Sequence, residues 1–286
     1  MTAEGGDYEL TIRPTRGWLN LRPGELWRYR DLFLLLVRRE FIAKYKQTVL
    51  GPAWFVLQPL LMTVVFVAVF TGIAKIPTDG LPPTLFYLAG LLGWNYVAQS
   101  FQNSAGTLIA NAHMFGKVYF PRLVVPLAAL ASNLFAFLLQ AATFAGFWIF
   151  FKLSMPDGSG FGLSGSIVWL PLLLLQLAAL SLGAGLLVAS LTTRYRDLNF
   201  LVPFIVQLWM YATPVIYPLS AVPDGWRWLA VLNPATVPVE GLRQMLLGAG
   251  SLQMADVAVS AVLAALVLLA GLAAFGRVER TFIDTV

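Results

Sequence analysis

The chain is 286 residues long, 58% hydrophobic and only 12% charged, against about 25% charged in an ordinary soluble domain, which excludes that class. With no cysteine and a single histidine, His113, it holds no disulfide, no thiolate nucleophile and no multi-histidine metal centre within one chain. The formal net charge of +5 would suit a nucleic-acid partner, but in so apolar a chain the placement of the charges matters more than their sum.

The sequence opens with "MTAEGGDYEL", which lacks the basic start and apolar core of a signal peptide. Residues 1–26 are expected to form a cytoplasmic N-terminal segment. Residues 27–50 read as an amphipathic helix lying on the membrane. The apolar run 32–37 is too short to cross, and Arg28, Arg30 and Asp31 precede it while Arg38, Arg39 and Glu40 follow. Leu34, Val37, Phe41, Tyr45 and Thr48 recur at helical spacing, which fits an apolar face in the lipid boundary. A soluble amphipathic helix shows the same pattern. Gly51-Pro52 then breaks the helix, with Pro52 suited to the first turn of the next one.

Six apolar stretches follow, 52–74, 84–103, 123–151, 167–191, 198–217 and 257–276, each near the ~20 residues that a membrane crossing needs. The expected fold is therefore an all-α membrane protein with six transmembrane helices over residues 51–286. Uninterrupted runs disfavour the alternating strands of a β-barrel. Six crossings put both termini on one side. With them lie the basic residues from Arg13 to Lys46, and Lys117, Arg122, Arg194, Arg196, Arg277 and Arg280; only Lys75, Lys152, Arg227 and Arg243 fall opposite. The positive-inside rule makes the richer side cytoplasmic. The net charge is then mostly an orientation signal, and no nucleic-acid partner is expected.

Two connections are more than turns. Residues 105–122 have room for a short helix from Ala105 to Met114, on the cytoplasmic side. Residues 218–250 begin and end outside yet are apolar, and read as two short helices, Trp226 to Leu232 and Ala235 to Leu247. Asn233 would cap the second, with Pro234 at its first position. Re-entrant backbone of this kind is tolerated only where it is buried in protein or lines a water-filled cavity. That suggests an outer gate carrying Trp226, Trp228, Asn233, Pro234, Glu240 and Arg243. A pair of helices lying flat on the surface is the alternative.

None of the six stretches contains Asp, Glu, Lys, Arg or His. Ion-coupled transporters place ionisable relays in the membrane and cation channels use charged rings, so neither class fits. No GxxxxGK[ST] phosphate loop occurs, and any work must come from a partner. The polar groups in the spans are amides, hydroxyls and aromatics, densest at Trp94, Tyr96, Gln99, Phe101 and Gln102. They serve either as helix–helix hydrogen bonds, worth about 0.6 kcal/mol each, or as a neutral conduit in which aromatic faces stack on sugars and amides meet hydroxyls. "GLSG" (162–165) matches the GxSG of rhomboid proteases, but no His follows His113 to activate Ser164. "NPA" (233–235) occurs once, where aquaporins use two copies in inverted repeats. A membrane-embedded transferase would need an acidic pair or a His base that the spans lack.

The stretches "KYKQTVLGPAWFVLQPL" (44–60), "KVYFPRLVVP" (117–126), "RYRDLNFLVPFIVQLWMYATPVIYP" (194–218) and "LNPATVPVEGLR" (232–243) resemble the membrane subunit of type-2 ABC exporters for lipid-linked polysaccharides, the O-antigen, capsule and teichoic-acid permeases. The resemblance implies a homodimer working with two copies of an ATP-binding cassette subunit, which binds ATP and Mg, while this chain carries no cofactor and is no enzyme. It implies an interface helix at 27–50, a coupling helix at 105–122 bearing Asn111, His113, Lys117 and Arg122, and outer gate helices at 218–250. It implies a cargo carried on undecaprenyl pyrophosphate in a bacterial inner membrane. The cargo's head would arrive near Arg38, Arg39, Lys44 and Lys46, where Arg–phosphate pairing is geometrically favourable; the positive-inside rule by itself also puts charges there. Spans one and five would line the path with Phe66, Phe70, Gln207 and Tyr211, joined by Trp94, Tyr96, Gln99 and Phe101, and with bends at Pro59, Pro203 and Pro214. A type-2 exporter of capsule, teichoic acid, a drug or another lipid is the alternative.

Overall fold

A computed structural model of the protein describes residues 23–115, 120–155 and 160–281, and every regular element among them is helical. The N-terminal helix is broken in two, α1 (Pro23–Arg28) and α2 (Arg30–Tyr45). α2 ends five residues before the expected Leu50. The Lys46 N–H closes it on the Ile42 carbonyl, and Gln47 then turns left-handed with φ 71°. The corner is therefore spread from Lys46 to Gly51, itself at φ 51°. Pro52 sits in a single 3₁₀ turn, Gly51–Ala53, that runs into α3 (Trp54–Phe66). Among the described side chains of α2 the buried ones are Leu36 and Val37, while Leu34 and Leu35 are exposed. The helix turns its Leu36–Val37 side to the protein because it lies along α7 (Val124–Ser154).

α3 continues as a π-helix, Val67–Ile73. Its wider turns bring several residues onto α4 (Pro83–Ala105). Phe66 and Phe70 meet edge to face at 5.2 Å, Phe66 meets Tyr87 at 5.7 Å, and Thr71 shares a 3.2 Å hydrogen bond with the Tyr87 hydroxyl. α4 is the centre of the fold. Every residue from Leu85 to Trp94 is buried, under α3, α7, α8 (Leu170–Thr192), α9 (Leu198–Ala212) and α11 (Thr236–Leu247), with α5 (Thr107–Ala110) and then α6 (Ala112–Phe115) following its C-terminal end, α12 (Met254–Thr281) beyond α8, and α10 (Asp224–Leu232) against α11 and α12. The expected helix 105–114 is thus two single turns, interrupted at Asn111.

Four helical stretches among the described residues are long and apolar enough to cross a membrane: Gly51–Ile73, Val124–Ser154, Gly165–Thr192 and Met254–Glu279. The two other expected spans fall short for different reasons. α4 has 23 residues, about 34 Å of helix, but carries Asn95, Gln99, Gln102 and Asn103. α9 is apolar but has only 15 residues, about 22 Å. It stops because Pro214 disfavours helical backbone at the residue before it, and Thr213 is extended with ψ 142°.

α8 packs against α4 on one side and α12 on the other. Both contacts are backbone-close. A Cβ on Gly183 would lie 2.6 Å from the Leu268 nitrogen, and one on Gly185 would lie 2.9 Å from the Phe101 carbonyl. Small residues at such crossings replace the hydrophobic drive that lipid removes with van der Waals contact. Two apolar clusters result. One surrounds α4, and the other joins Leu36 and Val37 to Leu108, Phe115, Val124, Leu186 and Phe275 at the α2 end.

Candidate functional site

A groove of about 720 Å³ runs between α3, α4 and α7, with Lys44 of α2 at one end. Each helix contributes a stripe at helical spacing: Gln58, Leu61, Met62 and Val65 from α3; Asn95, Tyr96 and Gln99 from α4; Asn133, Ala136, Phe137 and Gln140 from α7. The amides are ordered on two sides. Lys44 Nζ donates to Asn133 Oδ1 at 2.7 Å, Asn133 Nδ2 donates to Ser100 Oγ at 3.1 Å, and Asn95 Nδ2 donates to Gln140 Oε1 at 3.2 Å. Gln58 and Gln99 are exposed and hydrogen-bond to nothing among the described residues. Burial pushes the Lys44 ammonium below its usual pKa, with the Glu40 carboxylate holding it up in part. An ammonium poised in this way gains from an anion brought to it.

The sequence cluster 94–103 is therefore split by the helix. Asn95, Tyr96 and Gln99 reach the groove, whereas Trp94 and Phe101, both 3% exposed, face away. These two rings hold Trp209 of α9 edge to face at 5.8 and 5.7 Å. Phe66 is likewise buried against α4, with Phe70 beside it. Gln207 and Tyr211 are exposed on α9, on a face shared with Phe204 and Leu208. One chain thus places the expected lining residues on three different surfaces.

The basic residues of α2 also part company. Arg38 and Lys46 are exposed. Arg39 turns inward: its guanidinium donates to Asn111 Oδ1 at 3.0 Å and Glu40 Oε1 at 2.8 Å, and approaches the Met114 sulfur at 3.7 Å. This ties α2 to the turn between α5 and α6, where Asn111 Nδ2 also holds the Thr107 carbonyl. Of the residues expected to meet an ATPase, His113 is exposed, Asn111 and Arg122 are buried, and Lys117 lies outside the described residues. Arg122 bonds to Glu279 through both its backbone N–H and its Nη1, pinning the start of α7 to the end of α12.

At the opposite end, α10 and α11 stand where two short helices are expected, but their junction differs in detail. Asn233 does not cap α11, which starts at Thr236. Its Oδ1 accepts from Trp209 Nε1 and the Ala235 N–H, and its Nδ2 donates to the Ala212 carbonyl and Thr213 Oγ1. Every polar atom of the side chain is used in knitting α9 to the α10–α11 turn, and Pro234 follows it with its carbonyl held by Ser260. Glu240 and Arg243 are 0% and 1% exposed, so α11 does not lie flat on a surface. Arg243 pairs with Glu240, donates to the Pro214 carbonyl at 2.8 Å and the Val215 carbonyl at 3.3 Å, and stacks on Phe86 at 3.8 Å. Trp226 and Trp228 of α10 remain exposed. The "GLSG" serine, Ser164, only caps the 3₁₀ turn that precedes α8. The intramolecular roles of Arg39, Asn233 and Arg243 have no signature in sequence, because each depends on a partner from a distant segment.

The helical bundle and its membrane-length helices define a multi-pass helical membrane protein. Residues 31–247 match the family described as ABC-2 type transporter. The chain belongs to the membrane-subunit family of ABC-2 transporters. It is 31% identical over 214 residues to the O-antigen export system permease protein RfbA of Myxococcus xanthus, covering 73% of this chain and 78% of that one. It is 24% identical over 257 residues to an RfbA permease of Klebsiella pneumoniae, covering 89% of this chain and 94% of the relative. Membership in the family implies an ATP-binding cassette partner in the same system.

Proposed function

We propose that this chain is the permease subunit of an ATP-driven exporter that carries an O-antigen-like polysaccharide, linked to undecaprenyl pyrophosphate, across a bacterial inner membrane. The observation that carries the reading is the match to O-antigen export permeases along 89% of this chain and 94% of the relative. Two copies form the path, and two ATPase subunits dock on the side of α5 and α6 and bind ATP and Mg; this chain catalyses no bond change. Six crossings are α3, α4, α7, α8, α9 and α12, with both termini cytoplasmic. α4 crosses despite its amides because protein covers it, and α9 is extended by the non-helical residues after Ala212. Residues 1–26 form an N-terminal segment, 27–50 the interface region, 51–286 the membrane domain, 105–122 the coupling segment and 218–250 the outer gate. Arg38, Lys44 and Lys46 receive the anionic head, while Gln207 and Tyr211 line the path between the two copies.

Deleting the gene and restoring it in trans tests the reading. Loss of surface glycan with build-up of the lipid-linked form inside the cell is the expected result. Unchanged glycan display, with a change in drug resistance instead, would replace the cargo with a drug or another lipid.

A further inference from the structure

The α3–α4–α7 groove contains polar groups that a lipid environment leaves unserved. Gln58 lies seven residues into the first membrane-length stretch, and Gln99 six residues from the end of α4, each about 10 Å along its helix. Both are exposed without a hydrogen-bond partner among the described residues. An amide facing hydrocarbon costs about 4–8 kcal/mol on a scale where nothing can hydrogen-bond. The groove is therefore built to hold something that exchanges hydrogen bonds. Its lining has one charge, Lys44, and no carboxylate. Beyond that charge stand neutral amides: Gln99, then Asn95 one turn further, paired to Gln140. Facing them, Leu61, Met62 and Val65 form an apolar rim, and all three are exposed.

From this arrangement we infer that the groove binds a phosphate-linked sugar on a lipid, with the phosphate at Lys44, the first sugar's hydroxyls on Gln58, Gln99 and Asn95, and the lipid chain along the α3 rim. The Lys44 ammonium can meet one phosphate of such a head. Amides both donate and accept, which suits hydroxyls whose hydrogens rotate. The Asn95–Gln99 separation, about 6 Å along the helix, is comparable to one sugar ring. Asn133 positions the ammonium from below by accepting its hydrogen bond. The inference rests on the exporter reading and adds to it a lateral site, made within a single chain, at which the cargo's reducing end is held. An anionic phospholipid with a glycerol head has the same phosphate-and-hydroxyl chemistry, and the experiment separates the two sources.

The complex of this chain with its ATPase, in nanodiscs of zwitterionic phospholipid, is offered three probes: polyprenyl diphosphate bearing one N-acetylhexosamine, the same lipid without sugar, and phosphatidylglycerol. Retained lipid is counted by native mass spectrometry for wild type, Gln58→Leu/Gln99→Leu and Lys44→Met. The double variant is expected to lose about tenfold in affinity for the sugar lipid, the worth of two hydrogen bonds, and to keep its affinity for the sugar-free lipid, which also shows that it is folded. Lys44→Met is expected to weaken both diphosphates. Unchanged sugar-lipid binding in the double variant overturns the inference. So does an equal loss for all three probes, or phosphatidylglycerol binding wild type as tightly as the sugar lipid. If wild type exports the glycan while the groove variants bind and export equally, only the groove assignment falls. If wild type binds no sugar lipid at all, the exporter reading falls with it.

Discussion

Replacing Arg243 with methionine removes the cation from a fully buried ion pair and strands the Glu240 carboxylate, which is 0% exposed. Breaking a buried pair from one side costs about 3–5 kcal/mol, because the remaining charge has neither partner nor water. The same substitution frees the Pro214 and Val215 carbonyls, where charged hydrogen bonds contribute about 1.5–3 kcal/mol each, and removes the stack on Phe86. These contributions overlap, and a net loss of about 4–5 kcal/mol is expected. Glu240→Leu/Arg243→Met removes both charges together and should lose less than the two single variants summed, by about 2–3 kcal/mol of coupling. Equilibrium unfolding in mixed detergent and dodecyl sulfate micelles, followed by tryptophan fluorescence, gives all four corners of the cycle. Single-variant losses that add to within about 0.5 kcal/mol would refute the coupling of Glu240 and Arg243 within α11. The export assay should follow the same order, since the pair also holds the turn after α9 against which the outer helices rest.

Three further outcomes are expected. Gly183→Ala places a Cβ 2.6 Å from the Leu268 nitrogen, and since backbone must move it should cost about 1–3 kcal/mol by the same unfolding assay, whereas Gly146→Ala, with nothing within 4 Å, should be neutral; equal effects would count against the α8–α12 crossing. Arg39→Ala cuts the link from α2 to Asn111 and should lower glycan exported per ATP hydrolysed in proteoliposomes, while Arg28→Ala, at an exposed residue of α1, should leave that ratio intact; equal effects of the two would count against the coupling role of Arg39. Burial holds the Lys44 pKa below its usual 10.5, so the folded chain binds that proton less tightly than the unfolded one. The resulting penalty is complete below the folded value and fades as pH rises through it toward 10.5. Lys44→Met should therefore compare more favourably with wild type in Tm at pH 7 than at pH 10, and a difference independent of pH would sink the burial argument.

The membrane class and the helices were legible in sequence because both are local properties. Long apolar runs and Pro52 in a first turn act over a few residues, whereas Pro214, expected as a bend within 198–217, instead ends α9 at Ala212. The two helices between α9 and α12 could be placed for the same reason. The split of residues 94–103 was not legible as function. Trp94 and Phe101 differ from Asn95 and Gln99 by about 100° per residue around one helix, and only the packing of α9 on one side and α7 on the other says which face meets a groove. Nor could sequence distinguish Arg39 from Arg38, adjacent residues of equal charge, until Asn111 and Met114 were placed beside one of them.

By itself the sequence determined that this chain lives in a membrane and is built of helices, because lipid obliges each backbone segment to satisfy its own hydrogen bonds within the helix. The tertiary structure decided which polar groups are spent inside the protein and which are left available. Asn233, Glu240 and Arg243 are consumed in holding helices together, while Gln58 and Gln99 stay open beside Lys44. That division depends on partners far apart in sequence, and burial and hydrogen bonding are defined only once those partners meet.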